Sequence, residues 1–130
     1  MKVFTLREAR ELLIKIKPIA EDIRLKKEEL RNLYEELSSQ EDELEQMYLK
    51  TKIKEIEAQI KRHLARIEEL GGVIKGIEPL LVDFLSEYNG RYIWLCWKED
   101  EETIMYWHEL SEGFAGRKPV KELEKSEQLF

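Results

Sequence analysis

One short stretch of the chain, YWHELSEGFAGRKP at 106–119, collects side chains that could do chemistry. His108 stands beside Glu109, and such a pair can exchange protons in general acid–base catalysis. If the strand predicted here persists through Glu109, the two side chains point to opposite faces and cannot form one acid–base pair. His108 could still work alone or with Asp83 or Glu112, but spacing along the chain does not bring these carboxylates to it. Since a metal site usually needs three or four converging ligands, we predict neither a catalytic residue nor a metal site.

The two glycines of the same stretch raise the alternative of an anion-binding loop. The segment EGFAGRKP lacks the G-x-G-x-x-G pattern and the Lys-Ser/Thr ending of phosphate loops. We therefore expect Gly113 and Gly116 to supply turns with positive φ, with Phe114 in the core and Arg117 anchoring the loop. An anion held by loop amides and Arg117 remains the alternative. Pro119 could then open a short last helix, VKELEKS.

Two further residues, Cys96 and His63, have side chains that could react or bind a ligand. Cys96 is the chain's one cysteine, so it makes no intramolecular disulfide, and we expect a structural thiol without a cationic activator. His63 falls in a helical seam without a second histidine or cysteine at helical spacing. We interpret it as a packed seam residue rather than a ligand or a pH switch.

Composition excludes several classes of function. The formal charge of −6 argues against a general nucleic-acid surface, which needs clustered Lys and Arg. No apolar run approaches the roughly 20 residues that a membrane-spanning helix needs. The start MKVFTLREAR reaches charged residues too early for a signal peptide, so we expect a cytoplasmic protein. The 38% of charged residues would suit the surface ion-pair networks of a thermophile.

The elements that position these residues begin with two long helices. Thr5 and Glu8 form a capping box, T-L-R-E, so a first helix should begin at Leu6 and run to about Leu37. Pro18 lies inside it and predicts a bend rather than a stop. Ser39 with Asp42 could cap a second helix, which would run to Leu70 and end at Gly71–Gly72. A short turn folds the two into an antiparallel hairpin with coiled-coil-like packing.

The first helix carries more apolar surface than one partner helix can cover. Beyond its a and d positions it adds a third column, formed by Leu13, Ala20 and Tyr34. Either the C-terminal half or a second copy of the chain must pack there.

The second half of the chain reads as strands. The segments 91–98 (RYIWLCWK) and 103–109 (TIMYWHE) predict an antiparallel hairpin, and Leu80–Leu85 a third strand that pairs through the turn at Asn89–Gly90. Alternation places Tyr92, Trp94 and Cys96 on one face, and Ile93, Leu95 and Trp97 on the other. Since both faces are apolar, this sheet needs two covers: the helices on one side, and a partner, a ligand or the chain's own ends on the other.

At these residues the chain resembles a known family. The segment GRYIWLCWKEDEETIMYWHELSEGFAGRKPV, with LLVDF upstream and a capped hairpin from FTLREARELL, is similar to the prokaryotic family called domain of unknown function 2203. The most specific part is the run W-H-E-x-x-x-G-F-x-G-R-x-P, and the family implies no known activity. If the family's tail is a binding site, the matching positions are Trp107, His108, Glu109, Gly113, Phe114, Gly116 and Arg117.

Together these patterns predict a single α+β domain over 1–130: a long antiparallel two-helix hairpin (1–71), a small antiparallel β-rich part (72–120) with a glycine-containing C-terminal loop, and a tail or short helix (121–130). We expect a noncatalytic module that self-associates, as a homodimer, or binds another protein, and that needs no cofactor. The alternative is an anion or small-molecule site, of a binding protein or of an enzyme, built from His108, Arg117 and nearby carboxylates.

Overall fold

Two long helices form the framework of the protein. The structure, a computed structural model, describes residues 2–123. Helix α1 spans Leu6–Ser39 and helix α2 spans Glu43–Leu70. They run antiparallel, since Tyr34 near the end of α1 donates to Glu57 and Asp22 nearer its start meets His63. The predicted hairpin is confirmed.

Local signals in the sequence define the ends of both helices. Thr5 Oγ1 accepts from the amide of Glu8, and the Glu8 carboxylate accepts from the amide of Thr5, so the predicted capping box is confirmed. Asp42 alone caps α2, accepting from the amide of Leu44 at 3.0 Å, whereas Ser39 is the last residue of α1. Helix α2 ends at Leu70 and is capped by Gly71, whose φ of 119° is the left-handed conformation that favours glycine.

The described residues beyond the hairpin form one five-stranded antiparallel sheet in chain order. The strands are β1 (Val73–Ile77), β2 (Leu80–Tyr88), β3 (Arg91–Lys98), β4 (Tyr106–Glu109) and β5 (Lys118–Pro119). A two-residue turn with positive φ at Asn89 and Gly90 joins β2 to β3, as predicted. Strand β2 is longer than the predicted Leu80–Leu85, and we did not predict β1 and β5.

The strand predicted for 103–109 was too long. Only Tyr106–Glu109 pairs with β3, and 103–105 belong to the loop before it. Ile104 is fully buried, and its carbonyl accepts from Nε and a terminal nitrogen of Arg10 at 3.0 and 2.8 Å. Arg10 of helix α1 therefore satisfies the Ile104 carbonyl, which a longer strand β4 would have paired with its neighbour. Since this contact joins residues far apart in sequence, the pattern of the strand itself could not reveal it.

The inner face of the sheet packs on α1. Ile93, Leu95 and Trp97 are buried in one core with residues of α1, including Leu13 and Ala20 from the predicted third column. The C-terminal half of the chain therefore covers Leu13 and Ala20. Tyr34, the third member of the column, is half exposed.

The chain itself covers much of the outer face, although Tyr92 at one end of it is half exposed. Trp94 and Cys96 are buried there, and Lys75 Nζ lies 4.2 Å from the centre of the Trp94 ring. A register shift between Ile74 and Gly76 marks Lys75 as a bulge residue of β1, and bulges re-aim side chains. The segment after β4 adds the guanidinium of Arg117 over Tyr106.

Within residues 2–123 no helix is long and apolar enough to cross a membrane. Of the short helix that we predicted after Pro119, Val120–Glu122 form a 3-10 turn capped by Leu123, and 124–126 lie outside the described residues.

Candidate functional sites

Three neighbouring strands bring Asp83, Cys96 and His108 together on the outer face of the sheet. Asp83 of β2 is the direct partner of Cys96 on β3, and His108 of β4 lies opposite Trp94, two residues along the same face. The three side chains are almost inaccessible, with exposed fractions of 0, 1 and 2%. Their ligand-type atoms all lie within 4.8 Å of one another. We did not predict this cluster.

His108 is held by hydrogen bonds at both ring nitrogens. Nδ1 lies 2.9 Å from the carbonyl oxygen of Glu109, and because a carbonyl only accepts, Nδ1 carries the proton there. Nε2 lies 2.8 Å from Oδ2 of Asp83. The Glu109 carboxylate points away and pairs with Arg91 at 2.8 Å. His108 and Glu109 therefore form no acid–base pair, as the alternation of side chains along a strand predicted.

Burial disfavours the charged forms of the other two members. It raises the pKa of the Cys96 thiol to about 12, with the nearby Asp83 carboxylate adding to the effect. Burial also raises the pKa of Asp83, although His108 opposes this. Without a cation the thiol is protonated at neutral pH and is a poor nucleophile. Oδ1 of Asp83 is buried and has no hydrogen-bond partner.

A cavity of about 250 Å³ opens over the cluster. Asp83, Cys96 and His108 are part of its lining, which is completed by Lys75, Leu81, Glu112, Gly113 and Phe114. Glu112 is paired with Lys118 at 3.0 Å. The three buried side chains thus form part of the wall of this cavity.

Two other residues of the predicted site, Arg117 and Trp107, are not part of the cavity lining. Arg117 pairs with Glu101 at 2.5 Å, lies over the rings of Tyr106 and Phe114, and does not line the cavity. Of the residues in the alternative hypothesis, His108, Asp83 and Glu112 converge on the cavity. Arg117 meets the cluster only at Cys96, where a terminal nitrogen donates to the backbone carbonyl at 3.4 Å and the guanidinium charge opposes the rise of the thiol pKa. Trp107 lies on the inner face, in the core.

Two expectations for the glycine loop were wrong. Gly113 has a φ of −113° and Gly116 is also outside the positive-φ region; Gly116 is required for space, because a Cβ there would lie 2.8 Å from the Glu112 side chain. Phe114 is 46% exposed rather than in the core, because it begins a 3-10 turn at the mouth of the cavity.

His63 also meets a carboxylate, that of Asp22, in the seam of the hairpin. No cysteine accompanies this pair, since Cys96 is in the sheet. It is consistent with our interpretation of His63 as a seam residue.

A different kind of site lies at the free end of the hairpin. Leu44, Met47 and Tyr48 in the first turns of α2 are 76, 64 and 55% exposed. Their spacing places them on the helix face opposite the buried Leu49 and Ile53. We call these three residues the tip patch.

The charge around the tip patch is one-sided. Residues 35–48 contain six Asp and Glu and no Lys or Arg. The chain's other 22 acidic side chains are balanced by its 22 basic ones, so this segment alone accounts for the net charge of −6. The tip patch is an apolar surface within a strongly negative field.

The family comparison agrees with the resemblance seen in the sequence. The family model described as uncharacterized conserved protein (DUF2203) matches residues 2–120. No curated protein and no solved structure matches the chain significantly.

Proposed function

The chain belongs to the family of uncharacterized conserved proteins DUF2203, and we propose that it is a protein-interaction module whose docking surface is the tip patch. The exposure of Leu44, Met47 and Tyr48 carries this proposal. Single exposed apolar residues are ordinary, but three large ones in contact range on an unpacked helix face are typical of interaction sites.

The negative charge around the tip patch favours a positively charged partner. A basic amphipathic helix would cover the tip patch with its apolar face and place Lys or Arg against the carboxylates of 35–48. Self-association through the tip is disfavoured, because a second copy would bring six carboxylates against six. An anionic membrane surface is disfavoured for the same reason.

The test is binding of a synthetic amphipathic helix of Leu and Lys, measured by fluorescence anisotropy. Changing Leu44, Met47 and Tyr48 together to Ser should weaken binding by at least about tenfold, since tenfold corresponds to only about 1.4 kcal/mol of lost apolar contact. All three side chains are exposed, so the variant should fold.

A matched control removes exposed apolar residues elsewhere. The variant Tyr92→Ser with Leu110→Ser changes two exposed positions at the sheet, away from α1 and from the tip, and should keep full affinity. A peptide of Leu and Glu should not bind. If the tip variant bound the Leu/Lys peptide as tightly as the wild type does, charge alone would attract the peptide. The proposal would then be wrong.

We further propose that the chain forms a homodimer through the solvent face of α1. Ile14 and Leu25 are exposed and lie eleven residues apart, which places them on one side of the helix. An antiparallel contact between two copies of α1 would set Ile14 against Leu25 of the other copy, the reciprocal arrangement that twofold symmetry requires.

A second candidate function is a small-ligand site over His108. It is supported by the convergence of His108, Asp83 and Glu112 on one cavity.

A further inference from the structure

The buried cluster of Asp83, Cys96 and His108 has the composition of a metal site. We propose that these three side chains bind a divalent transition-metal ion of the zinc class, a function separate from docking at the tip. Thiolate sulfur, imidazole nitrogen and carboxylate oxygen are the donors that Zn²⁺ takes in proteins. Magnesium and calcium instead prefer shells made of oxygen alone.

The placement of the donors suits one ion. All three stand on adjacent strands, so the sheet holds their backbones in a fixed relation. Tetrahedral ligands at bond lengths of about 2.0–2.3 Å lie about 3.5 Å apart. The observed separations of at most 4.8 Å need only small side-chain rotations to reach this, and the ion replaces the hydrogen bond between Nε2 of His108 and Oδ2 of Asp83.

The orientation of His108 is the one that metal-binding histidines show. A ligating imidazole almost always donates its second N–H to a carboxylate or a carbonyl, which fixes the tautomer. Nδ1 of His108 donates to the Glu109 carbonyl at 2.9 Å, so Nε2 is the nitrogen aimed at the cluster. The Glu109 carbonyl of β4 is therefore the hydrogen-bond partner that would hold the ligating histidine in place.

An independent observation is the unpartnered oxygen of Asp83. Oδ1 is buried and has no hydrogen-bond partner, although a buried acceptor without a partner is costly. It belongs to a carboxylate that lines the cavity and is fully buried. A bound cation would satisfy this oxygen.

The charges balance when the ion is divalent. The Cys96 thiolate and the Asp83 carboxylate together carry two negative charges, and His108 coordinates as a neutral ring. Binding releases two protons, one from the thiol and one shared between His108 and Asp83.

The cations nearest the cluster neutralise it only in part: burial raises the pKa of Cys96 and that of Asp83, and this outweighs the lowering by Arg117 and by Lys75, respectively. Each nearby cation also has another contact. Arg117 is paired with Glu101 and Lys118 with Glu112, and Lys75 lies on the ring of Trp94. The fourth coordination position faces the cavity, where water or an exogenous donor reaches it. Three protein ligands with one open position are typical of reactive rather than purely structural zinc sites.

The experiment is metal titration of untagged, chelator-stripped protein. Competition with a chromophoric chelator should show one Zn²⁺ per chain, with a Kd of about 10 µM or tighter. Co²⁺ in the same site should give a thiolate-to-cobalt charge-transfer band in the near ultraviolet. Cys96→Ser should abolish that band and weaken Zn²⁺ binding by at least about 100-fold, since loss of even an outer contact costs 10–100-fold.

The chain offers a matched control in its other histidine–carboxylate pair. His63→Gln removes one of the two partners of Asp22, which keeps its pairing with Lys26, and should leave zinc affinity and the cobalt band unchanged. If Cys96→Ser fails to fold, the wild-type band still decides, because Cys96 is the chain's one source of a thiolate. A Kd weaker than about 10 µM, a cobalt complex without the band, or equal binding by a folded Cys96→Ser protein would each overturn the proposal.

Discussion

At the scale of single residues, the chemistry of His108 depends on a partner that is distant in sequence. The neighbouring Glu109 is engaged by Arg91, whereas Asp83, 25 residues upstream, meets Nε2. Cys96 acquires its significance in the same way, since it becomes a candidate ligand only beside those two residues. The alternation rule placed Cys96 on the face shared with Trp94, and the register of β3 on β4 would have added His108 to that face.

Arg117 is the residue of the glycine loop for which a substitution is most informative. Arg117→Ala removes a nearly buried ion pair with Glu101 and the contacts with the rings of Tyr106 and Phe114. We expect the free energy of unfolding to fall by about 1–3 kcal/mol, because Glu101 is left buried without its partner. Urea denaturation measures this.

The matched control for that prediction is the more exposed pair of Arg91 with Glu109. Arg91→Ala should cost less than about 1 kcal/mol, since solvent screens such pairs. Thermal melts with and without inorganic phosphate test the alternative role of Arg117. Unchanged stability of Arg117→Ala, together with loss of a phosphate-induced stabilisation seen in the wild type, would instead identify the loop as an anion site.

At the scale of elements, one lysine joins the first helix to the sheet. Lys27 interrupts the apolar stripe of α1, yet it is buried. Its Nζ donates to the carbonyl of Ile77 at 2.8 Å and pairs with Glu99 at 3.2 Å. Lys27 thereby links α1 to the end of β1 and to the loop after β3. Both of these segments are far from Lys27 in the sequence.

We predict that Lys27→Ala destabilises the protein by about 2 kcal/mol, because it leaves a backbone carbonyl and a mostly buried carboxylate without their donor. The adjacent Lys26 pairs with Asp22 one turn away on the same helix. Lys26→Ala should change the free energy of unfolding by only about 0.5 kcal/mol. Equal effects of the two substitutions in urea denaturation would contradict the anchoring role of Lys27.

At the scale of the whole molecule, the chain covers both faces of its own sheet. The helices cover the inner face, and Lys75, Arg117 and the segment after β4 cover much of the outer one. The argument for a homodimer from an uncovered sheet is therefore weaker than the sequence indicated. The exposed Ile14 and Leu25 on α1 now support that prediction.

Light scattering at micromolar concentration measures the oligomeric state. We expect about twice the chain mass of 15.6 kDa, and a shift to the single-chain mass in the variant Ile14→Ser with Leu25→Ser. The tip variant, with Leu44, Met47 and Tyr48 changed to Ser, should remain dimeric. A single-chain mass for the wild type would exclude the dimer, and a dimer lost only in the tip variant would place the self-contact at the tip.

The sequence by itself determined the local features of this protein. The capping box at Thr5 and the end of α2 at Leu70 follow from residues within one or two turns, and the Asn89–Gly90 turn follows from two residues. These features are readable because their determining contacts are close in sequence. The cytoplasmic location and the thermophilic origin stay predictions.

The tertiary structure alone decided which distant residues meet. Strand β4 begins at Tyr106 rather than at Thr103 because Arg10, 94 positions before Ile104, binds the Ile104 carbonyl. The cluster at Asp83 follows from the register of three strands. Short edge strands such as β5 carry almost no pattern of their own. Strand register depends on how whole faces pack, so the sequence could name Asp83 as one candidate partner of His108 without revealing that Asp83 and Cys96 both lie beside it.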